Sequence, residues 1–229
     1  MAKRPIFISS NETDSLVKVK EIEFEWHAGL SVSQKQKSID ALHDAAQKEL
    51  NLNNILEISS KSKVSLGISL SAFNLKLRDI NNVEGTVETF FQGSKIFNLG
   101  GPYNDLYYKT PIEAKRDQRL SESGDLIGFN YENKDWPLMP ATAFYDWLYC
   151  SALQQNKPQA DALLHFDAFS DIEFNPSKSI NCQAASAALY KSLVYKDLID
   201  EAMSSDEKFM SIHKQFKTSN TITQDTLNF

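Results

Sequence analysis

The sequence predicts one α+β domain dominated by helices, and three observations carry that expectation. Apolar and charged residues alternate at period two in the segment VKVKEIEFEW, residues 17–26. Helical periodicity recurs in residues 33–50, 142–153 and 180–194. No repeat or linker divides the 229 residues, and 41% hydrophobic and 11% aromatic content is enough to bury a core.

The elements follow in order. Residues 5–8 and 16–24 read as extended. Val17 and Val19 alternate in phase, but Ile22 and Phe24 fall out of it, which predicts a bulge near Lys20 and Glu21. Ser33 with Gln36 three residues on fits a capping box, and the helix it opens runs to Leu50, with Ile39, Leu42, Ala46 and Leu50 as its buried face. Residues 56–70 carry no clear pattern. Residues 71–77 read as a strand, with a turn at 81–85. A helix is expected over residues 86–97, stopped by Gly100-Gly101-Pro102. Another is expected over 111–121 with Pro111 in its first turn, and then a short strand at 126–131. Residues 142–153 and 158–164 read as helical, 167–179 as a polar loop, and 180–194, 198–202 and 206–216 as helices. The expected domain is residues 1–216. Residues 217–229 are polar without periodicity and read as a flexible tail.

Net charge is -6 and the pI about 5.3, which argues against broad-surface nucleic-acid binding, since that needs a basic footprint. A local basic patch remains compatible with a nucleic-acid substrate. Cys150 and Cys182 form no C-x-x-C pair and read as buried reduced thiols. The four histidines show no metal-ligand spacing, so neither metal nor cofactor is expected. The first residues lack a signal peptide's apolar run and no stretch has membrane-spanning length, so a cytoplasmic location without membrane contact is expected.

Three places could carry chemistry. On the helix expected over 86–97, Glu88, Gln92 and Lys95 fall within a ~60° wedge at ~100° per residue, beside Phe91 and a broad apolar side. A polar stripe beside aromatic rings suits a ligand groove, and it equally fits an amphipathic helix with a solvated face. On the first helix, Lys35 projects towards the side of Ile39 and sits in the first turn, while Lys37 points away. Desolvation and the positive helix end both disfavour a charged amine there, as an imine-forming nucleophile requires. The alternative is a lysine whose stem lies along the surface with its head in water. Thirdly, three acids (Asp167, Asp171, Glu173) precede a helix expected to start near Ser179, beside Lys178 and Asn181, where free backbone N–H groups could meet phosphate.

Together these stretches resemble the NADAR, or YbiA-like, family. Glu88-Thr89-Phe90-Phe91-Gln92-Gly93-Ser94-Lys95 is similar to that family's E-H-Y-F-Q-A-Q-K helix, with Thr89 where histidine is frequent, and Ser71-Ala72-Phe73-Asn74 to its S-N-F segment. The branch associated with DarT-type toxins is closer, from Arg4 to about Phe209. Its distinctive stretches are echoed by Phe24-Glu25-Trp26-His27-Ala28-Gly29 with Ser33-Gln34-Lys35-Gln36, by residues 142–149, and by Asp171-Ile172-Glu173-Phe174-Asn175-Pro176. The broader family's Trp-Gly-containing C-terminal motif is only loosely echoed by residues 171–181.

The resemblance implies a NADAR fold and an antitoxin enzyme that erases a DarT-type toxin's mark. It would cleave the N-glycosidic bond between ADP-ribose and guanine in DNA and release ADP-ribose. Read onto this chain, Lys35 is the expected nucleophile through a Schiff base, Glu88 the acid and base, and Lys95 the rival amine or a cation beside Glu88. Trp26, Phe73 and Phe91 are expected to stack on bases. Asn74, Gln92, Asp171 and Asn181 are expected to contact ribose or phosphate. Two other functions fit the same residues: a non-catalytic antitoxin that docks its acidic surface on the toxin, and a metabolic N-glycosidase acting on free nucleotides.

Overall fold

The computed structural model describes residues 1–216, and the tail expected at 217–229 lies outside them. β1 (Ala2–Ser9) and β2 (Val17–Phe24) pair antiparallel, from Ala2 opposite Phe24 to Ser9 opposite Val17. That register is unbroken, so the bulge expected near Lys20 is absent. The phase changes because both faces of the hairpin are covered, each at a different end. Val17 joins one buried cluster, while Ile22 and Phe24 join another on the opposite face. α1 (Val32–Leu50) is capped by Ser31, whose Oγ accepts from Gln34 N, and not by Ser33, whose hydroxyl bonds that of Ser31.

β3 (Ile55–Glu57) and α2 (Ser65–Ser69) occupy the stretch without a clear pattern. The strand expected at 71–77 divides. Residues 71–74 make a turn, with Asn74 N and Leu75 N both donating to Ser71 O, and β4 (Lys76–Arg78) follows and pairs with β5 (Glu84–Thr86). The helix expected over 86–97 stops early. α3 (Val87–Gly93) gives way to β6 (Lys95–Phe97), which pairs with β7 (Leu126–Tyr131). Partners from elsewhere hold the end: Gly93 O accepts from Tyr103 N at 2.7 Å and Ser94 O from Asn130 N at 2.8 Å. Gly93 also leaves room for the Tyr107 ring, which a Cβ there would approach to 2.6 Å. A 3-10 turn (Asn104–Tyr108) leads to α4 (Pro111–Lys115) and α5 (Arg119–Glu122) where one helix was expected. Asp117 breaks it by accepting from Arg119 N.

β8 (Lys134–Trp136), α6 (Ala143–Gln155) and α7 (Lys157–Leu163) come next. The loop expected at 167–179 contains β9 (Ala168–Ser170), buried throughout, which lies between β1 and β3. It is antiparallel to β1 and parallel to β3. Three residues are too few for a periodic signal, and the strand exists through pairing partners far away in sequence. α8 (Gln183–Tyr195), α9 (Ile199–Ala202) and α10 (Asp206–Gln215) complete the described chain. α8 begins later than the expected residue 180.

The four-stranded sheet thus runs β2-β1-β9-β3. α1 covers one face through Ile39, Leu42 and Ala46, packed on Ile6, Ile22 and Phe24. α8 packs against β1 and β9 on the other face, within the larger core that also holds α3 and α6. Cys150 and Cys182 are free and buried in that core. No helix among the described residues is long and apolar enough to cross a membrane. Leu42 is fully buried at the α1 seam. Leu42→Ala should therefore cost about 2–5 kcal/mol, read as a lower urea midpoint, and an unchanged midpoint would contradict the packing.

Candidate active site

The site is built around α3. Thr86 Oγ1 accepts from Thr89 N, and Thr89 Oγ1 accepts from Thr86 N. Thr89 is thereby committed to the capping box. Two further free N–H groups of the first turn go to the preceding turn, Val87 N to Leu75 O and Glu88 N to Ala72 O, both at 3.0 Å. The backbone beside Phe73 thus fixes where Glu88 starts.

Every residue of α3 is buried, Glu88 included. Its Oε1 accepts from Gln92 Nε2 at 2.9 Å, the i,i+4 pairing read from the sequence. A carboxylate can only accept from the amide nitrogen, so the other end of Gln92 is an oxygen, buried and without a partner among the described residues. Lys115 reaches from the end of α4 to within 3.6 Å of Glu88 Oε1, with its side chain 58% exposed against 7% for Glu88. The same ammonium lies 5.2 Å from the centre of the half-buried Phe73 ring.

Lys95 enters from β6 and not from a helix face, so the angular argument that grouped it with Glu88 does not apply. The strand nevertheless brings it into Glu88's field, with Nζ 5.0 Å from the Phe91 ring centre. Burial pushes the Lys95 ammonium down to about 8. The Glu88 charge opposes that shift and the Lys115 charge adds to it. Tyr145 lies edge-on to Phe91 and in the electrostatic field of both Glu88 and Asp171. Burial first, and then the Glu88 charge, raise its hydroxyl well above the ordinary value.

A second cluster surrounds Trp26. Lys35 Nζ sits 4.9 Å from the Trp26 ring centre and the Arg4 guanidinium 5.4 Å from it. Glu173 Oε1 pairs with Lys35 Nζ at 3.2 Å, and the Lys35 side chain is only 15% exposed. Lys35 thus leans inward as its helical position predicts, while Lys37 is exposed. Buried Ser38 of α1 accepts from His27 N and donates to His27 O, holding the Trp26 segment against the helix.

Asp171 and Gln183 join the two clusters. Asp171 Oδ1 accepts from the N–H groups of Glu173 and Phe174, which shapes the loop that presents Glu173 to Lys35. Asp171 Oδ2 accepts from Gln183 Nε2, and Gln183 Oε1 accepts from Ala72 N at 2.7 Å, next to Phe73. Beneath them Glu57 accepts from Ser170 Oγ and Ile172 N, and Ser170 Oγ also meets His43 Nε2.

The model of the DarT1-associated NADAR antitoxins matches residues 2–223. The chain belongs to that family. A search of the curated proteins found no match.

In this NADAR chain the expected residues fall into groups. Glu88, Gln92 and Lys95 come together, with Phe73 at their edge. Trp26 and Lys35 form the other cluster, and Asp171 stands between them. Asn181 presents a buried Oδ1 without a partner among the described residues. Asn74 Nδ2 holds its own turn, bonded to Ile68 O and Ser71 Oγ. Phe91 is enclosed by Phe129, Phe144 and Tyr145, so it belongs to the aromatic core and is no open stacking platform. The phosphate site expected near Ser179 is not there. The N–H groups of Lys178 and Ser179 both donate to Asn175 O, and the helix starts only at Gln183.

Sequence reasoning missed Lys115, Tyr145, Gln183 and Glu57. Gln183 left a faint signal, a lone amide opening an alanine-rich helix. Glu57 left none, being an acid in a three-residue strand.

Burial first, and then the neighbouring Glu57, push the Asp171 carboxyl up from 3.8 to about 8, and burial raises Glu57 as well. A raised acid stabilises the fold fully below its unfolded value, near 3.8, and that contribution is lost as pH rises through about 8. The melting temperature should therefore fall more between about pH 5 and pH 9 for the native chain than for Asp171→Asn. We expect the difference to reach at least about 2 °C, since ~1 kcal/mol moves a domain of this size by roughly 2–4 °C. Parallel curves would remove Asp171 from the account.

Proposed function

We propose that this chain is an N-glycosidase that removes ADP-ribose from guanine bases in DNA and so reverses the modification made by a DarT-type transferase. The observation that carries the reading is a buried carboxylate, Glu88, with Lys115 at 3.6 Å and in the electrostatic field of a second lysine, Lys95, whose ammonium burial has pushed down to about 8. Breaking a bond at an anomeric carbon calls for a proton carrier and a nucleophile in one water-poor place. The orphan acceptor on Gln92 supports it too, since a ribose hydroxyl or a guanine N–H would supply the missing donor.

The lowered Lys95 ammonium, in the field of Glu88, supports Lys95 as the amine. Neutral Lys95 Nζ attacks C1 as the C1–N bond to guanine breaks, and one Nζ proton moves through the Glu88 carboxylate to the departing guanine nitrogen. The second Nζ proton moves through Glu88 to the ribose ring oxygen as the C1–O bond breaks, and a lysine imine remains at C1. Water adds to C1 with one proton passing to Nζ. The new hydroxyl then gives its proton to Nζ through Glu88, the C1–Nζ bond breaks, and ADP-ribose leaves with Lys95 neutral and Glu88 ionised as at the start. Lys35 is the second reading, favoured by its shielded position on Trp26 and by the likeness of residues 24–39 to this family.

The test is turnover. A catalytic amount of the chain, with no toxin present, should release free ADP-ribose from DNA carrying ADP-ribosylated guanine. If it protects only at one-to-one ratio with the toxin, the chain is a binding antitoxin and the glycosidase reading is wrong. Release from free nucleotides alone would point to a metabolic substrate.

A further inference from the structure

Building on the glycosidase reading, we propose that the lip of the site from Tyr108 to Arg116 docks an unpaired nucleic-acid strand flanking the modified guanine, so that the substrate is a polynucleotide and not a free nucleotide. Lys115 marks the lip, being largely exposed yet 3.6 Å from Glu88. Arg116 follows it and is exposed. At the other end of the five-residue α4, Lys109 is exposed and Tyr108 is 74% exposed. Tyr108 and Lys109 also line a shallow cleft of about 270 Å³ against the Thr89 side of α3, with Lys76 and its ion-pair partner Glu84 on the rim.

The acids of this segment are engaged within it. Glu113 Oε2 accepts from Thr110 N and Oγ1, and Asp105 and Asp117 are held by the Arg119 guanidinium. Lys109 and Arg116 have no ion pair among the described residues at the distances of those pairs. Two exposed cations outside those ion pairs, an exposed ring and a cleft, on a segment that reaches Glu88 through Lys115 in a chain of net charge -6, complement a phosphodiester with an unstacked base.

The experiment compares the native chain with Lys109→Glu/Arg116→Glu on two substrates: ADP-ribosylated guanine within a single-stranded oligonucleotide, and the ADP-ribosylated guanosine mononucleotide. The double variant should lose at least about tenfold in kcat/KM on the oligonucleotide at low salt, while the mononucleotide changes less than about twofold. Its salt slope should be shallower by about 1.4, as for two lost phosphate contacts on a single strand. Tyr108→Ala should weaken the oligonucleotide alone. Equal losses on both substrates, or no loss on either, overturn the proposal. If the native chain turns over neither substrate, the glycosidase reading falls. Fluorescence anisotropy of an unmodified oligonucleotide then decides the docking surface, and equal affinity of native and variant chains overturns it. Lys109→Ala/Arg116→Ala repeats the test should the charge reversal fail to fold.

Discussion

Glu88→Ala is expected to lower release of ADP-ribose from modified guanine DNA by about 10²–10⁴-fold, the usual worth of a positioned proton carrier. Among the described residues Gln92 donates to the carboxylate, and the charges of Lys95 and Lys115 act on its surroundings. Alanine would strand all three, so a loss of activity alone could follow from a disturbed pocket. Glu88→Gln separates the causes. Its amide oxygen can still accept from Gln92 Nε2, but it cannot shuttle a proton. If the glutamine variant melts like the native chain and is as inactive as the alanine variant, the carboxyl group itself acts. Full turnover by Glu88→Gln would end the proposed chemistry.

The second large effect concerns the amine. Borohydride added during turnover should trap ADP-ribose on the chain through the imine, and Lys95→Ala should lose both the adduct and the turnover. With its ammonium pushed down to about 8, Lys95 is mostly protonated at lower pH. The rate should therefore rise with pH, about tenfold per unit below about 8, and level off above it. Lys95→Arg keeps a cation there but offers no nucleophilic amine, so it should be as inactive as Lys95→Ala at every pH. Lys35→Ala, which strips the cation between Trp26 and Glu173, should raise KM while the adduct still forms. An adduct lost in Lys35→Ala and kept in Lys95→Ala would transfer the nucleophile's role to Lys35. An adduct independent of both would leave Glu88 activating water directly.

Much of the local order was legible in the chain. Residues 33–50 read as a helix with Ile39, Leu42 and Ala46 inward, and the structure has that helix and that face, because its own periodicity dictates both. The Glu88–Gln92 pair was legible for the same reason, since four residues on a helix always meet. Lys35 leaning inward follows from its phase with Ile39.

What the sequence alone determined was therefore the α+β class, the longer helices and the contacts within one helical turn, together with the likeness to the family. Tertiary structure decided the rest. It ended α3 at Gly93, whose carbonyl goes to Tyr103 N, drew Lys95 into a strand within the field of Glu88, inserted β9 between two strands from elsewhere in the chain, and gathered Asp171, Gln183 and Ala72 into one path. The physical reason is range. Helical order is set by neighbours three or four residues apart, whereas these four outcomes depend on partners that only the folded packing supplies.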